Sequence, residues 1–287
     1  MLLEPQLRAR LERLALTNRT RLRGVWGGRH RSTRLGESLD FADYREYNPG
    51  DDYRRIDYNL WARLGVVLIR LFEAEDEMPL QVVIDTSRSM DFGEKFSAAQ
   101  RLAAMVSYLA LISGERIRLA TVPEPGSSAM VGPWARHVSA WPKLETWLED
   151  LEADGGTDLV AASRIVASTV SRGPIVLISD LMQDGWQQAV DLFGTARGGV
   201  VLHVLSPAEI DPELTGDLTL RDIETKREVP VSMSGDAVDR YRQRMQSFMS
   251  DAARRCRRVG LDYVQATADA DILDRALRQL VTGGLVR

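Results

Sequence analysis

The chain has 287 residues, of which 44% are hydrophobic and 27% charged, and it carries a formal net charge of −4. That supplies apolar material for one large domain or two modest ones. The mild acidity argues against a general nucleic-acid binder, which needs positive faces to hold phosphates.

One cysteine, Cys256, excludes an intramolecular disulfide and fits a reducing compartment. The start of the chain, MLLEPQLRARLERLAL, alternates charge with leucine and lacks the apolar core of a signal peptide. No stretch approaches the roughly 20 apolar residues that span a bilayer. The expectation is a cytoplasmic protein with no membrane span.

Leu7, Leu11 and Leu14 recur at helical spacing and predict a short amphipathic helix over about 4–16. An Arg- and Gly-rich stretch without periodicity follows, so that residues 1–34 hold nine Arg against two Glu. A solvated or internally paired face explains this basic run better than a nucleic-acid or lipid site, because it lacks regular aromatic interleaving. Residues 41–60 carry a Pro-Gly turn at Pro49–Gly50, and 66–75 reads as a strand. These segments predict a small N-terminal region over 1–76, a helix followed by β-rich chain.

From about residue 77 the rhythm changes. PLQVVI, RIRLATV (116–122), PIVLISDL (174–181), GVVLHVLS (199–206) and LDYVQAT read as short buried strands. Between them lie helical segments, among them a helix after Lys95 whose only charge between Phe96 and Ile112 is Arg101. Strands alternating with helices predict an α/β domain over 77–287, a mainly parallel sheet covered on both faces. DLTLRDIETKREVPVSM (217–233) reads as a β-hairpin inserted at about 212–235, turning at Glu224–Lys226. A long helix from about 236 to 259 and a last helix over ADILDRALRQLV complete the chain.

In such sheets ligands sit outside the carboxyl ends of the strands. Three polar groups fall there: Asp85-Thr86-Ser87-Arg88-Ser89 after PLQVVI, the glycine turn Gly155-Gly156-Thr157-Asp158, and Asp180 after IVLIS. They offer carboxylates and hydroxyls but no His or Cys, a hard-oxygen set suited to Mg²⁺ or Mn²⁺ and poorly to zinc. Ser87, Ser89 and Thr157 can coordinate through hydroxyls, and Asp85 and Asp180 directly or through water. An ion held largely by hydroxyls keeps positive charge and accepts a carboxylate from another protein. The bland alternative is a set of loop residues capping helices.

The DxSxS pattern, followed in order by Thr157 and Asp180, resembles the metal-ion-dependent adhesion site of the von Willebrand factor A superfamily. FADYREYNPGDDYRRIDYNLWAR (41–63), DTSRSM and DLTLRDIETKREVPV together resemble the bacterial domain-of-unknown-function family 58. Its RxYxPGDxxRxID signature is read here as Arg45, Tyr47, Pro49, Gly50, Asp51, Arg54, Ile56 and Asp57. The resemblance implies a Rossmann-like fold, a non-enzymatic protein-binding role and a MoxR-type AAA+ ATPase as partner in chaperone-like assembly or activation of other proteins. Arg45, Asp51, Arg54 and Asp57 then have two readings, a docking surface for the ATPase or a charge-paired scaffold. Bidentate Arg–carboxylate geometry favours the scaffold.

The rival function is an Mg²⁺-dependent phosphohydrolase with Asp85 as nucleophile. That chemistry calls for a second carboxylate two residues on, where Ser87 stands, and for a lysine beside Asp180, where the sequence shows none. His203, inside VVLHVL, reads as a satisfied core residue and Cys256 as an inert thiol.

Overall fold

A computed structural model describes residues 1–17, 41–72, 79–122, 129–154, 156, 158–163, 173–195, 198–213, 216–221, 227–233 and 235–282. The chain divides into two compact units, residues 29–77 and residues 1–28 with 78–287. The basic Arg/Gly-rich stretch after residue 17 lies outside the described residues.

In the smaller unit, β1 (Phe41–Glu46) pairs antiparallel with β2 (Leu68–Phe72). Between them the Pro49–Gly50 turn leads into a 3-10 turn at Tyr53–Arg55 and helix α2 (Tyr58–Leu64). Asp57 organises this unit. It is 5% exposed and caps α2 by accepting from the backbone N–H groups of Asn59 and Leu60. It also accepts from the Tyr44 hydroxyl at 3.0 Å and from Arg70 Nε at 2.9 Å. Arg45 pairs with Asp51 at 2.8 Å, and Asp51 accepts from the Asn48 N–H to close the turn. The signature residues Arg45, Asp51 and Asp57 thus make hydrogen bonds within the small unit, the pattern of a charge-paired scaffold. Arg54 is exposed and lies over the Tyr53 ring.

The larger unit holds a parallel sheet of β3 (Leu80–Ile84), β4 (Ile117–Thr121), β5 (Ile175–Ser179), β6 (Gly199–Leu205) and β9 (Asp262–Thr267), in the order β4-β3-β5-β6-β9. The strands are rich in Val, Ile and Leu because both faces are covered. Val82, Ile84, Val176, Ile178, Leu202 and Val204 turn toward α3 (Lys95–Ile112), α4 (Trp141–Glu149) and α8 (Ile272–Thr282). Val83, Leu177 and Val201 turn toward α5 (Trp186–Phe193) and α7 (Gly235–Arg258). This is the doubly wound α/β architecture expected. A short helix α6 (Pro207–Ile210) follows β6, and β7 (Gly216–Arg221) pairs antiparallel with β8 (Glu228–Met233) as the inserted hairpin. The Glu224–Lys226 turn lies outside the described residues.

One expectation needs correction. The N-terminal helix α1 (Pro5–Thr17) belongs to the larger unit rather than to a region ending at residue 76. Leu3 and Leu11 are fully buried in the core cluster built around α3. Tyr108 on α3 donates to Glu12 at 2.6 Å, and Arg8 reaches both oxygens of Glu145 on α4 at 2.9 Å. The leucine stripe covers the part of α3 that the sheet leaves bare, which is why α3 carries so little charge. Among the described residues no helix is long and apolar enough to cross a membrane.

Two outcomes are expected from this architecture. Leu11→Ala should lower the unfolding free energy of the larger unit by about 2–5 kcal/mol in urea titrations, the range for emptying a buried leucine site. Asp57→Ala should leave the main transition in place and speed proteolysis within 41–72. The Asp57 carboxyl is held below its ordinary 3.8 mainly by the Leu60 N–H, with Arg70 and Tyr44 adding to it. Its contribution to the small unit is thus present above pH 3.8 and lost as pH falls below it.

Candidate metal centre at the carboxyl edge of the sheet

The chain runs from β3 to β4 on one side and then crosses to β5 on the other side of β3. The crevice between the ends of β3 and β5 is therefore the switch point of the sheet. Asp85 directly follows β3 and Asp180 directly follows β5, and the Asp85 N–H continues the ladder by donating to the Ile178 carbonyl at 2.9 Å. Topology thus brings together two carboxylates that lie far apart in sequence.

Asp85 is 1% and Asp180 2% exposed. Asp85 Oδ1 accepts from the Ser87 N–H at 3.0 Å, and Oδ2 from the Ser179 hydroxyl at 2.6 Å. Burial pushes the Asp85 carboxyl up to about 6, and the neighbouring Asp180 charge adds to the effect. The Ser87 and Ser89 hydroxyl oxygens lie 2.8 Å apart. Arg88, between them, donates to the Asp154 carbonyl and carboxylate at 3.0 and 3.1 Å, tying this loop to the one that leads toward the glycine turn. Asp158 caps the helical residues 159–163 through the Ala161 N–H. Thr157 itself lies outside the described residues.

The sequence shows no lysine beside Asp180, but the fold supplies one. Lys95 has no exposed surface, and its ammonium donates to Asp180 Oδ2 at 2.7 Å and to Glu209 Oε1 at 2.6 Å. A lysine at the first position of a helix opposes the helix dipole, and only its two carboxylate partners make the placement favourable. The chain reaches this position through Gly93 and Glu94, both at positive φ. A Cβ on Gly93 would stand 2.5 Å from that of Ser206, the residue that caps α6 and with it Glu209. Glycine is required there by close approach as well as by φ. The local signal for Lys95 was an isolated charge opening an apolar helix. Its partners, 85 and 114 residues away, left no mark in the sequence.

His203 is the satisfied core residue expected. Its Nε2 lies 2.8 Å from the Asp180 carbonyl and its Nδ1 2.7 Å from the Tyr263 hydroxyl. The carbonyl can only accept, so the proton sits on Nε2 and Nδ1 accepts from Tyr263. Burial drives its pKa down to about 4, keeping the ring neutral. The imidazole thus props up the backbone of Asp180 from below. Burial raises the Cys256 thiol to about 12, as suits an inert side chain.

The oxygen donors present, two carboxylates and two hydroxyls, are of the type that a hard divalent cation takes. The Ser87 and Ser89 hydroxyls hydrogen-bond each other at 2.8 Å, which already gathers two oxygens at about the spacing of adjacent ligands around Mg²⁺. Among the described residues no group of three or more His, Cys, Asp or Glu is placed to hold a metal. An ion here would depend on hydroxyls and water as well as carboxylate. Among these same residues, Asp180 and Glu209 share the one Lys95 ammonium, and the Asp85 carboxyl lies within reach of the Asp180 charge, an excess of negative charge that a cation would offset.

Comparison with known proteins gives relatives over nearly the whole chain. An uncharacterized protein of Mycobacterium tuberculosis and one of Mycobacterium bovis are each 28% identical over 288 residues, spanning 96% of this chain and 89% of the relative. Among solved structures, the conserved hypothetical protein BatB of Bacteroides thetaiotaomicron aligns at 13% identity with a TM-score of 0.45, over 72% of this chain and 98% of that one. The pilus adhesin SpaC of Lactobacillus rhamnosus GG aligns at 11% identity with a TM-score of 0.42, over 74% of this chain and 31% of that one. Residues 43–254 match the family described as protein of unknown function DUF58. The chain belongs to that family.

Proposed function

We propose that the carboxyl edge of the sheet holds Mg²⁺ or Mn²⁺ and uses it to bind a carboxylate of a partner protein. Ser87 and Ser89 would hold the ion through their hydroxyls, Asp85 and Asp180 directly or through water, and Thr157 would complete the set on sequence grounds. The observation that carries this reading is the pair of buried carboxylates beside two hydroxyls 2.8 Å apart at the switch point. The ion would supply a positive site for an acidic side chain. The partner we propose is a MoxR-type AAA+ ATPase, acting with this protein in chaperone-like assembly or activation of other proteins. That choice rests on the family resemblance alone, carried by residues 41–63, DTSRSM and DLTLRDIETKREVPV.

Lys95 lends support to the second reading, the phosphohydrolase, because it supplies the lysine beside Asp180 that such chemistry needs. The other objection stands. Ser87 occupies the position where a carboxylate would move the proton, and a hydroxyl does that poorly at neutral pH. The binding role is therefore preferred.

Pull-down of a MoxR-type ATPase by wild-type protein and by Asp85→Ala, each with Mg²⁺ or EDTA, tests the main reading. Capture is expected only for wild type in Mg²⁺, and equal capture in all four arms would sink it. With p-nitrophenyl phosphate and Mg²⁺, no turnover above that of Asp85→Ala is expected, and Asp85-dependent turnover would favour the enzyme. Lys95→Met should cost about 3–5 kcal/mol in urea titrations in EDTA, because it strands two carboxylates in the interior. Mg²⁺ should restore part of that loss, and a variant as stable as wild type in EDTA would show that the ammonium does not hold this edge together.

A further inference from the structure

Directly behind the candidate metal edge, the loop after β5 and helix α7 enclose an open groove of about 730 Å³. This is the size of a pocket that takes a few side chains of a peptide. Its floor is aromatic. Trp186 meets Phe248 edge to face at 5.5 Å, and Phe248 meets His203 the same way at 5.4 Å. Met182 and Met245 add thioether walls that adapt to varied apolar shapes.

The groove also carries opposite charges that do not satisfy each other. Arg244 and Asp184 both line it, both are exposed, and neither makes an ion pair with a described residue. Arg240, one turn before Arg244 on α7, is likewise exposed without such a pair. Like charges at this spacing repel. By contrast, Arg242, Arg254 and Arg255 on the same helix are paired with Asp211, Asp251 and Asp191. Arg244, without an ion pair among the described residues and beside this apolar floor, complements a carboxylate, with Arg240 one turn away adding positive charge, while Asp184 repels one from the opposite rim.

The groove wall and the candidate metal ligands share a backbone. Leu181 is buried at φ 54°, a conformation that a branched side chain adopts only when its surroundings hold it there. Its N–H donates to the Ser179 hydroxyl, which in turn donates to Asp85. The Met182 N–H donates to Asp180 Oδ1. On the far wall, the Tyr241 hydroxyl donates to the carbonyl of Glu209, the residue that shares Lys95 with Asp180.

We propose that this groove is a second subsite of the metal edge, taking a bulky apolar side chain of an acidic partner segment whose carboxylate meets Arg244. The proposal rests on the reading of that edge as a partner-binding site. It adds the requirement for an apolar anchor next to the acid, and a direction set by Arg244 and Asp184. Binding in the groove fixes the 181–182 backbone, and thereby the frame of both carboxylates, so occupancy of the two subsites is coupled in both directions.

The test is fluorescence polarisation with two labelled peptides in a glycine–serine frame, one with phenylalanine between two glutamates and one with alanine in its place. The full chain is titrated as wild type, Met182→Glu, Arg244→Glu and Asp85→Ala, each with Mg²⁺ or EDTA. Met182 and Arg244 are exposed, so their variants should keep the wild-type thermal melt. Wild type in Mg²⁺ should prefer the phenylalanine peptide by about tenfold, the effect of one well-seated aromatic anchor. Met182→Glu should abolish that preference, and Arg244→Glu should weaken both peptides. A phenylalanine preference that survives EDTA and Asp85→Ala undiminished keeps the groove and removes the metal from the reading. Mg²⁺-dependent binding without the preference removes the groove and keeps the metal. Equal binding by Met182→Glu and wild type, or no binding of either peptide, overturns the proposal.

Discussion

Lys95 enters the interior at the first position of α3 with no exposed surface, gripped by Asp180 from β5 and Glu209 from α6. An ammonium in that position would be strongly unfavourable alone, and each carboxylate would be so without it. The three charges therefore stand or fall together. They join three elements that meet nowhere else in the sequence: the central helix, the end of a central strand and the cap after β6. The tight passage through Gly93 and Glu94 follows from this constraint, because the chain must turn sharply past Ser206 to deliver Lys95 to its partners.

The same ion cluster shapes the chemistry of the edge. Asp180 is held on one oxygen by Lys95 and on the other by the Met182 N–H, with His203 fixing its carbonyl. Asp85 is held by the Ser87 N–H and the Ser179 hydroxyl. Both carboxylates are thus set in position before any ligand arrives, which reduces the ordering that binding requires. Lys95 leaves part of the negative charge uncompensated, and that remainder is what makes a divalent cation chemically reasonable beside an ammonium.

Much of this was legible in advance where the signal was local. The strands PLQVVI and PIVLIS announced themselves as continuous apolar runs, and their polar termini marked the edge where Asp85 and Asp180 would fall. The inserted hairpin followed from alternation in DLTLRDIETKREVPVSM, and the isolation of His203 in an apolar run pointed to a satisfied core residue. Where partners come from distant segments, the signal disappeared. Nothing near residue 180 foretold Lys95, and α1 read as part of a small N-terminal region because its leucine stripe names no partner. For Arg45, Asp51 and Asp57 the charge pattern favoured a scaffold over a docking surface, and their hydrogen bonds within the small unit agree with that preference.

The sequence by itself determined the alternation of buried strands and helices, and with it a doubly wound sheet whose carboxyl edge gathers Asp85, Ser87, Ser89 and Asp180. It could do so because hydrophobic periodicity and strand polarity are properties of short segments. The tertiary structure alone decided which charges answer those carboxylates, which helix covers α3, and that a groove lined by Arg244 opens behind the edge. Those outcomes depend on side chains from as far as 114 residues away, whose meeting is fixed by strand order and packing rather than by any local pattern.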